Sequence, residues 1–163
     1  AKIFITGIGR DKPRLELAKK FGATRTINVE EEDVVEVIRK ETNGELCDVV
    51  VDVSGNPNAI LKSVDCLHRQ STMVLGGLTG DTTVTPMLMD KLVWNEIKLQ
   101  GCFTADNDAT EAALRIIEET KFPVQQMVSH IFPLKDIEHC IRSIGGEVPG
   151  TFPTKALIHP ALG

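Results

Sequence analysis

The sequence predicts an α/β fold, in which a doubly wound parallel sheet carries helices on both faces. Two observations favour this class. Short apolar or β-branched runs alternate with amphipathic helical stretches through the first half of the chain, and such alternation is typical of parallel sheets. The runs Cys47–Val53 and Ser71–Leu78 are also nearly continuous in apolar residues, as expected for strands that are covered on both faces.

The first half reads as three strand–helix units followed by a fourth strand. Pro13 suits a first helical turn and Gly22 a helix stop, while Asn56 provides a cap before a first-turn proline. Acidic residues open the second helix, and Gly44 follows its end. The predicted elements are strand Lys2–Ile8, helix Pro13–Phe21, strand Arg25–Val29, helix Glu31–Thr42, strand Cys47–Val53, a helix from Asn56 to about His68, and strand Ser71–Leu78.

The second half is less regular and begins with a polar loop at Gly80–Thr85. Asp108 and Glu111 resemble a capping box in front of a helical stripe of alanine and isoleucine. No repeat or linker separates a second domain, so one domain over residues 1–163 is predicted. The remaining elements are helix Met87–Trp94, strand Ile97–Phe103, a helix with its stripe from Ala109 to Ile117, strand Met127–Phe132, a helix from Leu134 to Ile144, and strand Lys155–Ile158.

Composition excludes several classes of function. The 163 residues are 42% hydrophobic and 25% charged, which is ordinary for a soluble globular protein. A formal charge of −5 provides no electrostatic footprint for nucleic acid or an anionic membrane. No apolar run approaches the roughly 20 residues that a membrane span needs, and no secretory signal opens the chain. We therefore expect a cytoplasmic protein with neither nucleic acid nor membrane as a partner.

Titratable and sulfur-containing side chains form no recognisable catalytic set. Asp52, His130 and His139 have no nucleophile or base at a spacing that identifies one, so a structural role is favoured for each and no catalytic residue is assigned. The cysteines are too far apart in sequence for a zinc knuckle, and buried, inert thiols are expected instead. They are Cys47, Cys66, Cys102 and Cys140.

The glycine turn after the first strand has two interpretations. Gly7 and Gly9 lie between a strand and a helix, so they could belong to a dinucleotide-binding fingerprint with Glu30 as the ribose-binding acid. Lys12, however, occupies the position where that fingerprint needs its third glycine. Acids such as Glu30 are also common just before a helix, where the helix dipole favours negative charge.

Four segments together support the second interpretation. They are KIFITGIGRDKPRLELAKKFGA, DVVVDVSGNPNAI, STMVLGGL, and FPLKDIEHC followed by TKALIHP. In this order the segments resemble the zinc-dependent medium-chain dehydrogenase/reductase family, with alcohol and sorbitol-type polyol dehydrogenases as its nearest members. The resemblance covers essentially the whole chain. It implies the coenzyme-binding portion of an oxidoreductase that transfers hydride between a nicotinamide and a hydroxyl carbon.

The resemblance also implies that part of the family's fold lies outside these residues. Lys2–Ile8 corresponds to the second strand of a Rossmann-like sheet, so the first βα unit and its GxGxxG turn are expected to be missing. The catalytic domain, which holds zinc through Cys and His ligands, is expected to be missing too. Without the central first strand, the strands at Lys2–Ile8 and Cys47–Val53 could pair and give a flavodoxin-like order. Otherwise a gap would persist between them.

The resemblance assigns coenzyme contacts residue by residue. Gly7 stands where NAD-using members carry the ribose-binding acid, and Arg10 or Lys12 could pair with a 2′-phosphate, so NADP is slightly favoured over NAD. Ser54-Gly55 corresponds to the turn on the adenosine side, and Gly77-Leu78 to the turn near the nicotinamide ribose. The full set implied is Gly7, Arg10, Ser54, Gly55, Gly77, Leu78, Gly101 beside the nicotinamide, and Lys155 on the pyrophosphate.

Partners and alternatives complete the expectation. The strand Ile97–Phe103 corresponds to the family's dimer-forming edge strand, and Met87, Met89, Leu92 and Trp94 precede it, so homodimerisation is predicted. A small alcohol or polyol substrate would bind through the domain outside this chain. The alternatives are a non-catalytic nucleotide-binding or regulatory domain and a flavodoxin-like module. The second alternative lacks support because there is no Tyr and only one Trp to stack on a flavin.

Overall fold

The computed structural model describes residues 1–162. They form two compact units, one comprising Ala1–Glu30 with the chain from Asp106 onward and the other Glu31–Ala105. In chain order the elements are β1 (Phe4–Gly7), α1 (Lys12–Lys20), β2 (Arg25–Asn28), α2 (Val34–Glu41), β3 (Cys47–Asp52), α3 (Pro57–Val64), β4 (Leu67–Leu75), α4 (Met89–Trp94), β5 (Lys98–Gly101), α5 (Asn107–Glu118), β6 (Val128–Pro133), α6 (Ile137–Ile144) and β7 (Lys155–His159).

Every strand pairing in the described residues is parallel, which confirms the predicted α/β class with parallel sheets. In the first unit β1 pairs with β2, and β6 pairs with β7. In the second unit β4 lies between β3 and β5. Each parallel connection needs a crossover, and the helices between the strands provide it.

Of the two outcomes left open for the sheet, the flavodoxin-like closure does not form in the described residues. β1 is hydrogen-bonded to β2 alone, and β3 to β4 alone, so no ladder joins the strands at Lys2–Ile8 and Cys47–Val53. The pairs that form are successive strands joined by a single helix, α1 in one case and α3 in the other. A βαβ unit brings such neighbours together through a short right-handed crossover, whereas β1 and β3 have no such direct connection.

The core of the second unit lies on one face of its three-stranded sheet. The buried side chains Ile60 and Val64 of α3 and Leu92 of α4 pack with Leu67 and Met73 of β4. The opposite face of β3 is open: Val49 is 54% exposed, Val51 59% and Val53 79%. The expectation of cover on both faces is therefore wrong for β3, because within this unit helices pack against only one side of the strand.

The first unit is held together by contacts that are distant in sequence. Leu15 of α1 and Ile27 of β2 are its buried aliphatic side chains in the opening βαβ segment. The Phe21 ring stacks on Phe122, with centroids 6.1 Å apart and planes 4° from parallel. The Arg14 guanidinium donates to the Pro153 carbonyl at 2.8 Å. These contacts attach the segment after residue 105 to the opening strand–helix–strand segment.

Three helix boundaries differ from the prediction, and side-chain caps decide two of them. α2 begins only at Val34, since the Asp33 carboxylate accepts from the Val35 and Glu36 N–H groups. Glu31 and Glu32 therefore precede the helix instead of forming its first turn. The Lys62 ammonium lies 2.6 Å from the same Asp33 carboxylate, and this hydrogen-bonded pair lowers the pKa of Asp33.

The cap of α5 is Asp106, whose carboxylate accepts from the Ala109 N–H at 2.8 Å. The predicted capping box at Asp108 and Glu111 is thus two residues too late.

α3 ends at Val64, earlier than predicted, because the chain turns at Asp65 and enters β4 at Leu67. The Cys47 N–H donates to the Cys66 carbonyl at 2.9 Å and anchors this early start.

In an irregular segment at the start of β4, His68 pairs with Asp48 of β3. The β3–β4 register jumps from Cys47↔Leu67 to Val49↔Thr72, so residues 68–71 bulge out of the ladder. His68 Nε2 lies 3.0 Å from the Asp48 carboxylate, and Nδ1 faces the Arg69 carbonyl. Both ring nitrogens face acceptors, an arrangement satisfied only when both carry protons. The hydrogen bond that the His68 imidazole donates to the Asp48 carboxylate is the main reason that the pKa of His68 is raised.

We expect His68 to stabilise the fold more at acidic than at alkaline pH. A pKa raised above the ordinary value of about 6.5 gives a contribution that is complete below about pH 6.5 and is lost as the pH rises through the folded-state pKa. In an NMR titration of the imidazole, Asp48→Asn should lower the His68 midpoint, whereas the matched change Asp81→Asn in the exposed loop should not. An unchanged midpoint in Asp48→Asn would contradict this assignment.

Met73 provides a direct test of the second unit's core. Its side chain has no exposed surface, so Met73→Ala should lower the free energy of unfolding by about 2–5 kcal/mol through lost burial and the remaining cavity. Val93 is 70% exposed on α4, and Val93→Ala should change stability by no more than about 0.5 kcal/mol. Equal denaturation midpoints for the two variants would refute the core assignment.

No helix in the part of the chain that the structure describes combines the length and apolar character needed to cross a bilayer.

Candidate functional site

Three strand ends lie level with one another at the carboxyl edge of the second unit's sheet. Asp52 at the end of β3 is in register with Leu75 of β4, and Leu75 is in register with Gly101 of β5. The turns that follow these strands therefore leave the sheet at the same edge. In an open parallel sheet this is the edge at which ligands bind.

The buried carboxylate of Asp52 organises the first of these turns. Asp52 is only 6% exposed. Its Oδ1 accepts from the Ser54 hydroxyl at 2.7 Å, and its Oδ2 accepts from the Gly55 N–H at 3.0 Å. Ser54 Oγ in turn accepts from the Asn56 N–H at 3.1 Å, and the Asn56 side chain caps α3. One carboxylate thus holds the chain from the strand end to the helix start.

The Asp52 main chain holds the second turn. Its carbonyl accepts from the N–H groups of Gly76 at 2.8 Å and Gly77 at 3.2 Å. The same residue therefore bonds the turn after β3 through its side chain and the turn after β4 through its backbone. Sequence reasoning left Asp52 out of the site and favoured a structural role, and the signal available was an acid at a strand end, three residues before a glycine.

The two turns touch backbone to backbone, and only glycine permits the approach. A Cβ on Gly77 would lie 2.2 Å from the Gly55 nitrogen, and a Cβ on Gly55 would lie 2.2 Å from the Leu78 carbonyl oxygen. Gly55 also has φ +64°, a conformation that L side chains rarely adopt. The structure therefore gives both glycines a packing role. A role in coenzyme binding remains a prediction.

Five of the predicted contact residues lie together at this edge: Ser54, Gly55, Gly77, Leu78 and Gly101. Ser54 is exposed, and Leu78 is 79% exposed beside it. A Cβ on Gly101 would meet nothing within 4 Å, so the space next to the end of β5 is open. The edge thus combines a rigid, hydrogen-bonded floor with an apolar side chain and unfilled space.

The turn after β1 lies in the first unit and is closed by two carboxylates. Gly7 pairs with Asn28 at the ends of β1 and β2. The Ile8 N–H donates to Asp11 Oδ2 at 3.2 Å, and the Gly9 N–H donates to Glu30 Oε2 at 2.7 Å. A Cβ on Gly9 would stand 3.0 Å from that Glu30 oxygen, so glycine allows the acid to come close.

Arg10 belongs to this turn through its main chain, whereas Lys155, also in the first unit, lies outside it. The Arg10 side chain is exposed, and its Nη1 would lie 4.0 Å from a Cβ on Gly146, just after α6. Lys155 opens β7 opposite Val128, at the amino end of that strand pair. Their predicted contacts with a 2′-phosphate and a pyrophosphate remain predictions.

The histidines outside this edge make local contacts. His130 Nδ1 lies 2.9 Å from the Ser129 hydroxyl, and its ring stacks at 6.0 Å on Phe132. His139 meets the same Phe132 ring edge-on at 5.7 Å. The structure thus places both histidines against an aromatic side chain, in line with the structural roles expected for them.

The residues present do not fit a zinc site. Among residues 1–162 no group of three or more His, Cys, Asp or Glu side chains lies close enough to hold a metal ion. Burial raises the pKa of the Cys66 thiol to about 12 and also raises that of Cys47, so both stay protonated, whereas zinc binds thiolate. Cys66 and Cys140 are buried as expected, but Cys102 is exposed, in contrast to the expectation.

Comparison with known proteins identifies the family. A family profile described as zinc-binding dehydrogenase matches residues 1–119, well over half of the chain. The chain belongs to the zinc-binding dehydrogenase family. This confirms the resemblance to medium-chain alcohol and sorbitol-type dehydrogenases on which the coenzyme contacts were assigned.

Individual relatives carry related names. A probable alcohol dehydrogenase from Mycobacterium tuberculosis is 30% identical over 161 residues, which are 97% of this chain and 44% of the relative. An L-threonine 3-dehydrogenase from Caldanaerobacter subterraneus is 34% identical over 127 residues, 77% of this chain and 36% of the relative. A sorbitol dehydrogenase from Halalkalibacterium halodurans is 27% identical over 144 residues, which are 86% of this chain and 42% of the relative. The chain spans less than half the length of these relatives.

Solved structures agree in fold. An alcohol dehydrogenase from Thermotoga maritima matches with a TM-score of 0.84 at 20% identity, covering 98% of this chain and 44% of that one. An alcohol dehydrogenase from Thermus sp. ATN1 matches with a TM-score of 0.79 at 20% identity, covering 98% and 44%. This likeness confirms the predicted Rossmann-like class for a chain of partial length.

The contact between the turns predicts that two glycines of the same edge differ in how well they tolerate substitution by alanine. Gly77→Ala forces a methyl group against the Gly55 backbone and should destabilise the fold by more than about 1 kcal/mol. Gly101→Ala meets no atom and should change the free energy of unfolding by no more than about 0.5 kcal/mol. Chemical denaturation of both variants measures the difference. A Gly77→Ala variant as stable as Gly101→Ala would contradict the contact.

The Asp52 bonds predict a loss of stability even for the isosteric amide. Asp52→Asn keeps one acceptor oxygen for the Gly55 N–H, but its NH2 group cannot accept from the Ser54 hydroxyl and the negative charge is removed. Loss of the hydrogen bond from Ser54 to a charged acceptor should cost about 1–3 kcal/mol of unfolding free energy. Asp81→Asn in the exposed loop makes the same chemical change and should be neutral. If Asp52→Asn has the same denaturation midpoint as the wild type, the carboxylate does not organise the turn after β3.

Proposed function

We propose that this chain is the coenzyme-binding portion of an NAD(P)-dependent alcohol or polyol dehydrogenase, a partial Rossmann domain over residues 1–163. The observation that carries the proposal is the carboxyl edge of β3, β4 and β5. There Asp52, Leu75 and Gly101 are in register and five predicted contact residues lie together. Family membership and the names of the relatives support the same conclusion.

The residues at this edge suit a dinucleotide. The Ser54-Gly55 and Gly77-Leu78 turns supply a rigid backbone floor, exposed Leu78 supplies an apolar surface, and the space beyond Gly101 is unfilled. A bound nicotinamide coenzyme would supply the hydride acceptor or donor. The role of this chain's residues is to bind and orient the coenzyme and to keep water from one side of it.

Catalysis would depend on residues outside this chain. No described residue of this chain supplies a zinc site or a recognisable acid–base set, so we propose that the zinc of the parent enzyme and its alcohol or polyol substrate bind to another domain. By itself the chain should show no dehydrogenase activity. A non-catalytic nucleotide-binding or regulatory domain is the alternative outcome of the test below.

For the coenzyme form we propose NADP slightly over NAD. Gly7, which ends β1, carries no carboxylate of its own, and the exposed Arg10 forms no hydrogen bond or ion pair within residues 1–162. An unpaired guanidinium near the turn is suited to a phosphate because it donates several hydrogen bonds at once.

The test is coenzyme binding and turnover by the full-length protein. We expect it to bind NADPH and NADH with micromolar dissociation constants, followed by nicotinamide fluorescence, and to reduce NADP⁺ or NAD⁺ with a panel of alcohols and polyols. Leu78→Asp, which places a charge on the proposed contact surface, should weaken binding of both coenzymes at least about tenfold. Tight binding without turnover of any alcohol would favour the regulatory alternative, and no binding would refute the proposal.

We also propose that β5 forms a homodimer by edge pairing. It pairs only with β4 in the described residues, all four of its residues are exposed, and Phe103 just after it is 79% exposed. Such an edge is a template for a second strand.

Sedimentation velocity of the full-length protein tests the dimer. We expect Leu99→Lys in β5 to weaken association because a charge on an edge strand opposes pairing. Leu114→Lys on α5, where an exposed leucine is also replaced, serves as the matched control and should leave the dimer intact. A wild-type monomer at high concentration would eliminate this proposal.

A further inference from the structure

Two consecutive backbone donors in the turn after β1 are each bound by a carboxylate of the chain itself. The Ile8 N–H donates to Asp11 and the Gly9 N–H to Glu30. Successive N–H groups that point the same way form a concave site for anions. Because internal carboxylates already bind both N–H groups, an anion can bind to this turn only by replacing a carboxylate.

The two carboxylates differ in how firmly they are held. Asp11 is half-buried, and its second oxygen accepts from Arg14 at 2.8 Å. Glu30 is exposed, and Gly9 is the only partner of its carboxylate within residues 1–162. Asp11 is therefore a fixed part of the turn, whereas the Glu30 side chain can leave its place at the cost of one hydrogen bond.

Glu30 reaches this position from the neighbouring strand. It follows β2, whose last residue pairs with Gly7, and the Val29 N–H donates to the Gly7 carbonyl at 3.0 Å. The Glu30 N–H is oriented by the Asn28 side chain at 3.2 Å. The acid thus lies at the turn to which the family resemblance assigns the ribose of the proposed coenzyme, although Gly7 itself carries no carboxylate.

We propose that Glu30 is a specificity-determining residue that limits selectivity for NADP. The inference rests on the proposed coenzyme-binding function and deepens it. A 2′-phosphate entering this turn competes with Glu30 for the Gly9 N–H and is repelled by its negative charge, while Arg10 attracts it. A ribose with a free 2′-hydroxyl meets no such repulsion and can donate to the carboxylate. The opposed charges of Glu30 and Arg10 then leave both coenzymes acceptable.

The test is the ratio of the dissociation constants for NADPH and NADH in the full-length protein. Glu30→Gln keeps an oxygen that can accept from Gly9 but removes the charge, so the turn is retained. We expect NADPH to bind about tenfold tighter, equivalent to about 1.4 kcal/mol, with NADH changed less than about twofold. Glu31→Gln, the same change one residue later at an exposed position, should leave the ratio as in the wild type.

The outcomes separate this inference from the function on which it rests. A ratio unchanged in Glu30→Gln overturns the inference while leaving the proposed function intact, and so does an equal change for both coenzymes, which would mean that Glu30 only supports the turn. A shift of the same size in Glu31→Gln would mean that general charge, and not contact with Gly9, sets selectivity. A folded wild-type protein that binds neither coenzyme overturns the proposed function and this inference together.

Discussion

The hydrogen bonds of Asp52 are the interaction on which the proposed binding edge depends. Its carboxylate shapes the turn into α3, and its carbonyl holds the turn that follows β4. Removing this carboxylate from water is unfavourable unless its oxygens find donors, and Ser54 and Gly55 supply them. Asp52 therefore determines the path of both turns, of the first through its carboxylate and of the second through its main-chain carbonyl. The backbone contact between Gly55 and Gly77 follows from that path.

This arrangement places rigidity where a ligand would need it. Loops at strand ends are the common location of binding residues, because a scaffold of sheet and helix positions them. In the second unit the scaffold is one-sided: α3 and α4 cover one face of the sheet, while the valines of β3 remain exposed on the other. Order at the strand ends thus comes from local polar bonds as much as from a thick hydrophobic core.

The turn after β1 shows a second use of charge. There the donors belong to the backbone and the acceptors are the carboxylates of Asp11 and Glu30. Asp11 is held by an ion pair with Arg14, whereas Glu30 is exposed. Glu30 therefore stabilises the turn in this structure but can be replaced there by another acceptor. Binding discrimination can arise from such a competing internal charge as readily as from a new attractive contact.

The sequence by itself determined the α/β class, the order of the elements and the residues at the edge of the second unit. Periodicity and the Asn56-Pro57 cap are local properties, and the structure reproduces them. Tertiary structure alone decided the strand partners, the one-sided cover of β3 and the early entry into β4. These features depend on hydrogen bonds between groups that are distant in sequence, such as the Cys47 N–H with the Cys66 carbonyl and the Gly9 N–H with the Glu30 carboxylate. No local pattern predicts such pairings, because the two partners come within hydrogen-bonding distance only in the folded chain.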